Sequence, residues 1–118
     1  MNVGPVKEEL QNKYPDKNVV VNNTGEIICE ISPGKEESVA IAVIDKSLPH
    51  FHKVTTETYE VIKGKLDLYC DGIKHTLNVG DKFVVNPGSI HYAEGKETWI
   101  KCFSKPGWSP KDHFLAKG

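Results

Sequence analysis

The apolar positions change period once along this chain. Between residues 4 and 14, Val6, Leu10 and Tyr14 recur every fourth position, which predicts a short amphipathic helix with Pro5 in its first turn. Pro15-Asp16-Lys17-Asn18 ends it. Beyond that point the apolar residues come in short runs rich in β-branched side chains. Residues 19–21 and 27–31 read as two strands joined through Asn22-Asn23-Thr24-Gly25, a turn composition, and Ser32-Pro33-Gly34 turns again. Further strands are expected at 39–44, around His50, at 58–63, 66–70, 73–79, 82–85 and 98–103. The breaks between them are Gly64, Asp71-Gly72, Gly80-Asp81, the tight loop Asn86-Pro87-Gly88-Ser89 and the turn Glu94-Gly95-Lys96.

Short strands with turns this frequent predict an all-β sandwich or barrel. One domain is expected from 118 residues. It divides into an N-terminal extension (1–34, the helix plus strands packing on the barrel), a barrel (35–104) and a C-terminal tail (105–118). The tail should lie as a flap on the barrel's outside, with Ser109-Pro110-Lys111-Asp112 as a capped helix start. His113 is expected there as a solvated or capping residue.

One stretch carries candidate chemistry. His50 and His52 are two apart, so on a strand both imidazoles share a face and Phe51 takes the other. Glu57 opens the next strand. Two such strands side by side present two imidazoles and a carboxylate to one point, a metal-ligand set if a fourth group arrives. The candidate for that group is His91, after the Pro87-Gly88 bend.

Written out, the pattern is His50-x-His52-x4-Glu57-x6-Gly64, then 15 residues, then Gly80-x6-Pro87-Gly88-x2-His91. It resembles the two signature motifs of the cupin family across roughly residues 38–104. The resemblance implies a double-stranded β-helix, or jelly-roll barrel, and gives His50, His52, Glu57 and His91 the role of ligands to one divalent metal ion. Fe, Mn, Ni, Zn, Co and Cu all suit three nitrogens and one oxygen. Two positions depart from the pattern. Ile44 stands where the family has a glycine, so Asp45-Lys46-Ser47 must make that turn. Gly95 stands where an asparagine is frequent.

The resemblance points to a metal-dependent enzyme acting on a small organic molecule, by activating dioxygen as in cupin dioxygenases or by polarising a carbonyl as in cupin sugar isomerases. The alternative is a non-catalytic module that senses a small ligand or a metal. A structural or storage barrel ranks last, since bulk stability gives no reason to converge three histidines and a glutamate. Tyr59, Phe83, Tyr92, Trp99 and Phe103 are candidates to line an apolar ligand pocket. Strand parity leaves open which face of 98–103 is inside. Cys102 reads as a core thiol, and His75 as a surface residue on an alternating strand.

Composition narrows the picture. The chain holds 15 lysines and no arginine, so no bidentate fork for carboxylate or phosphate exists. Cupins that act on oxalate, and nucleotide-sugar epimerases of the fold, rely on arginine. Lys53, Lys82 or Lys101 would offer an anion only point charges. The net charge of −1 and scattered lysines give no basic patch for nucleic acid or an anionic membrane. The N-terminus lacks a signal-like apolar stretch. Three widely spaced cysteines match no zinc or redox motif and fit a reducing cytoplasm. A two-fold homodimer, paired through an edge strand and an outer sheet face, is the expected assembly.

Overall fold

The fourfold spacing near the N-terminus does form a helix, α1 (Val3–Lys13), which buries Val6 and Leu10. The computed structural model describes residues 1–22 and 25–116. Asn23 and Thr24, in the expected turn, and the last two residues of the tail lie outside the described residues. The strands are β1 (Val19–Val21), β2 (Ile27–Ser32), β3 (Ser38–Lys46), β4 (His50–Phe51), β5 (Thr56–Lys63), β6 (Leu66–Cys70), β7 (Ile73–Leu77), β8 (Lys82–Val85), β9 (His91–Lys105) and β10 (Phe114–Leu115). All strand pairs are antiparallel and form one curled sheet. This is the all-β jelly-roll barrel expected from the sequence.

The fifteen-residue β9 is the seam of the barrel. One of its edges pairs with β3 from Glu94 to Ser104. The other pairs first with β6, through His91–Glu94, then with β5, through Trp99–Lys105. Glu94-Gly95-Lys96 was expected to turn the chain and instead forms an irregularity inside this one strand. Glu97 takes a positive φ of 46°, and its N–H donates to the Asp45 carboxylate at 2.6 Å. A Cβ at Gly95 would collide with the Thr98 side chain, which explains a glycine here. The matching register shift on β3 falls between Ile44 and Lys46. No turn forms at Ile44, which is fully buried. The chain leaves the sheet after Lys46, and Ser47 is held by hydrogen bonds to both the N–H and the carbonyl of Ala93.

The strand parity left open by the sequence is settled by α1. Trp99, paired with Val43, joins Ile41, Ile27, Cys29, Val6 and Leu10 in a cluster beneath the helix. Ile100, Cys102 and Ser104 therefore face the barrel interior, opposite Val61, Tyr59 and Glu57 of β5. Ile44, Val61, Leu66, Leu68, Val85 and Ile100 pack part of that interior. Each such side chain contributes roughly 1.5–3 kcal/mol on burial. Elsewhere on the inner face β3 supplies Ser38, Ala40 and Ala42, small side chains that leave room for a cavity.

Candidate metal centre

The polar part of the interior is built from four strand ends. β4 is two residues long and is held between β9, by the pair His50–His91, and β10, by Leu115–His50 and Phe114–Phe51. Extended backbone puts His50 and His52 inside, both 2% exposed, while Phe51 stacks on Phe114 outside. Glu57 sits at the start of β5 and His91 at the start of β9. The Pro-Gly loop is tied to the first motif directly, because the Gly88 N–H donates to the His52 carbonyl at 2.6 Å. Gly88 has φ +86°, the left-handed region where glycine carries no Cβ penalty.

One ligand atom from each of His50, His52, Glu57 and His91 lies within 4.8 Å of the other three, and all four residues are buried. The Nδ1 atoms of His50, His52 and His91 point at the carbonyls of Leu48 (2.8 Å), Asp112 (2.6 Å) and Ser89 (2.9 Å). A carbonyl only accepts, so each Nδ1 carries the proton, and in a neutral ring Nε2 is left as a lone pair. His52 Nε2 and His91 Nε2 lie 3.0 and 3.1 Å from the same oxygen, Glu57 Oε1. His52 Nε2 is buried there without hydrogen-bond geometry. Acceptors converging on acceptors repel unless a cation, proton or metal, sits among them. This donor set fits a divalent ion, with the three carbonyls orienting the imidazoles.

The electrostatics show the same demand. Burial alone would raise the Glu57 carboxyl, but the His52 and His91 imidazoles outweigh it and hold it well below the usual carboxylate range. Burial opposes charging of His52, yet Glu57 and the Asp112 carbonyl together raise its pKa. His50 is pushed down to about 4, by burial first and then by His91 beside it.

Two residues read from the sequence as bystanders face this site. Cys102 was expected as a core thiol, and it does pack against the core cluster. Its inward parity also brings Sγ to 3.4 Å from Glu57 Oε2, and burial, with Glu57 beside it, keeps the thiol protonated as a donor. His113 was expected to be solvated or capping. It stacks on His50 with ring centroids 4.8 Å apart, and burial and the neighbouring His50 and His52 lower its pKa to about 4. The tail is thus a strap over the site. Ser109 does cap a helical start, but it is only the three-residue 3-10 turn Pro110–Asp112. His75 stays outside the cluster and packs on Phe83.

A cavity of about 250 Å³ opens beside the cluster, reaching His50 and Glu57. Of the five aromatics expected to line a pocket, only Tyr59 does so. Trp99 lies under α1, Tyr92 stacks on Tyr69, Phe83 on His75, and Phe103 is on the outer face beside Lys101. Residues the sequence did not single out supply the remaining walls: Asn18, Asn22, Glu26 and Glu30 from the N-terminal hairpin and Trp108 from the strap. Lys53 lies over the Phe114 ring, and neither it nor Lys101 reaches the cavity.

Asp112 joins strap and site. Its carbonyl accepts the hydrogen bond from His52 Nδ1–H, and its carboxylate accepts those of the Lys53, Val54 and Thr55 N–H groups. Asp112→Ala keeps the backbone carbonyl but removes the carboxylate clasp that holds it against His52, and is expected to lower affinity for divalent metal roughly 10-fold, the lower end of the cost of losing an outer partner outright. A chelator-competition titration reads this directly, and an unchanged affinity contradicts it.

A family model described as "Cupin domain" matches residues 28–98. An uncharacterized protein of Aquifex aeolicus (strain VF5) is 38% identical over 45 residues, covering 38% of this chain and 37% of that relative. The match therefore spans little more than a third of the curated relative. Among solved structures, a variant of Streptomyces PAC13 with uridine has a TM-score of 0.77 at 15% identity, covering 87% of each chain. KdgF from Halomonas sp. has a TM-score of 0.72 at 17% identity, covering 80% of this chain and 93% of that one. A protein with a double-stranded beta-helix domain from Klebsiella pneumoniae has a TM-score of 0.70 at 21% identity, covering 82% and 84%. Likeness at these identities is likeness of fold.

Proposed function

The chain belongs to the cupin family, and from that premise we propose that it is a mononuclear metal-dependent enzyme acting on a small organic molecule. His50, His52, Glu57 and His91 hold the ion, and the cavity against His50 and Glu57 holds the substrate. The observation that supports this most is the convergence of His52 Nε2 and His91 Nε2 on one buried carboxylate oxygen while both Nδ1 atoms are committed to carbonyls, so that an added proton or a metal ion must sit among them. A bound ion supplies Lewis acidity at that point, for polarising a carbonyl or enediol or for activating dioxygen. Of the relatives in fold, PAC13 is described as a nucleoside dehydratase and was seen with uridine, which supports a cavity for small organic ligands.

The protein is also proposed to work as a two-fold dimer in the cytoplasm. The edge strand β1 exposes Val20 and Val21, and the three cysteines are free. No helix among the described residues is long and apolar enough to cross a membrane.

The test begins with elemental analysis of protein purified without added metal, with light scattering on the same sample. Near-stoichiometric iron, manganese, nickel, cobalt, copper or zinc is expected, in a particle about twice the 13.1 kDa chain mass. Each metal form is then incubated with enediols, flavonol-like compounds, keto-sugars and nucleosides. Turnover in one class supports the enzyme; saturable binding without turnover supports a sensing module. Protein that binds no divalent ion when offered one removes both.

A further inference from the structure

His113 has a feature that the ligand set leaves unexplained. Both its ring nitrogens are buried, and neither has a hydrogen-bond partner among the described residues. A neutral imidazole carries one donor and one acceptor, and burying both unpaired is costly. Nor is the ring there by accident of a loose end. The strap is fixed on both sides of it: the Trp108 N–H donates to Ser38 Oγ, Asp112 clasps the turn after His52, and the Ala116 N–H donates to the Pro49 carbonyl. Phe114 pairs with Phe51. Held this way, His113 stacks on His50, lies 6.0 Å from Trp108, and forms part of the cavity wall.

The rest of that wall indicates what His113 would meet. Glu26 and Glu30 line it, with the amide residues Asn18 and Asn22; Glu57 borders it too, but as a ligand its charge is offset by the ion. No lysine lines it among the described residues, and the chain has no arginine. Ala40, Ala42, Ile28, Ile100 and Trp108 give apolar surface. Such a wall accepts hydrogen bonds from hydroxyl or N–H groups and repels anions.

We propose that His113 is a ligand-contacting residue, and that the cavity takes an uncharged, hydroxyl-bearing small molecule rather than a phosphate or carboxylate. The two ring nitrogens give one hydrogen bond to the ligand and accept one from it, beside the metal centre. This rests on the cavity being the substrate site, as above, and narrows its substrate class.

The experiment uses full-length, metal-loaded protein with its histidine side chains labelled for nitrogen NMR; a paramagnetic metal is replaced by zinc. The probes are ribose and uridine against ribose 5-phosphate and uridine 5′-monophosphate. Ribose or uridine is expected to move the His113 ring signals, with each phosphorylated partner binding roughly tenfold more weakly because of the facing carboxylates. H113F keeps the ring stacked on His50 and removes both nitrogens. It is expected to retain its metal and to weaken the neutral probe roughly tenfold. The wild-type signals decide the matter even if that variant fails to fold. Ring signals that no probe moves, phosphates that bind as tightly as their neutral partners, or a variant that binds the neutral probe undiminished would each overturn the proposal. Metal content is measured separately, so a protein without metal tells against the proposed enzyme, whereas unmoved ring signals tell against His113.

Discussion

Glu57→Gln is expected to abolish tight metal binding while leaving the metal-free fold intact. Glu57 is the one carboxylate of the cluster, and its Oε1 lies against two imidazole nitrogens. Glutamine keeps the size, removes the charge and turns one oxygen into an N–H donor. That donor meets the Nε2 lone pair of His52 or His91, so the repulsion is relieved without an ion. Affinity for a divalent metal should fall by at least roughly 100-fold, the upper range seen when a mere outer partner of a ligand is lost. The measurement is thermal unfolding with and without added metal. Wild-type protein should gain about 2.7 kcal/mol at metal concentrations a hundred times Kd, and the variant almost nothing. If the cluster were only a structural ion-pair network, the same change would destabilise the metal-free protein by about 3–5 kcal/mol and leave no metal response to lose. A variant that still responds to metal like the wild type would remove Glu57 from the site.

The four candidate ligands were legible because their placement is local. Two residues apart on an extended segment share a face, and Pro87-Gly88 marks the bend that returns His91, with Gly88 in the left-handed conformation the bend needs. The face of β9 was not legible because at Trp99 the outer side is buried beneath α1 while its neighbour Ile100 is buried in the barrel. Alternation distinguishes inside from outside only where one side is wet. Trp99 under the helix decided the parity, and with it the inward aim of Cys102. Glu94-Gly95-Lys96 has turn composition, but a bulge inside a strand needs the same residues as a turn. The strap was the largest surprise. His113 reaches His50 through β10, a strand of two residues pairing with another of two, across more than sixty positions of sequence. Neither strand is long enough to show a period, and the clasp that fixes them, Asp112 on residues 53–55, is a side-chain contact no spacing announces.

Metal-free protein should lose stability as pH falls from about 6.5 to 4, and His50 should be the main cause. Its folded pKa of about 4 lies below the 6.5 of an unfolded imidazole, because it is buried and beside His91. Between those values the unfolded chain binds a proton that the folded one refuses, so His50 favours the fold above pH 6.5 and loses that contribution on acidification. By pH 5 the loss is about 2 kcal/mol. His113 is lowered to a similar value and acts in the same direction, more weakly because it is less buried. His52 has the opposite sign. Its raised pKa gives stability that is complete below 6.5 and is lost as pH rises through the folded value, so it adds no slope in this window. The lowered carboxyl of Glu57 adds its own loss only as pH falls below the ordinary carboxylate range near 4.5. Urea unfolding of the apo-protein at a series of pH values measures the slope. His50→Gln should flatten most of it, since glutamine cannot take the proton. A wild-type stability that stays level between pH 6.5 and 5 would mean that His50 is not held neutral by its surroundings, and the buried, uncharged His50 imidazole described for the centre would be wrong.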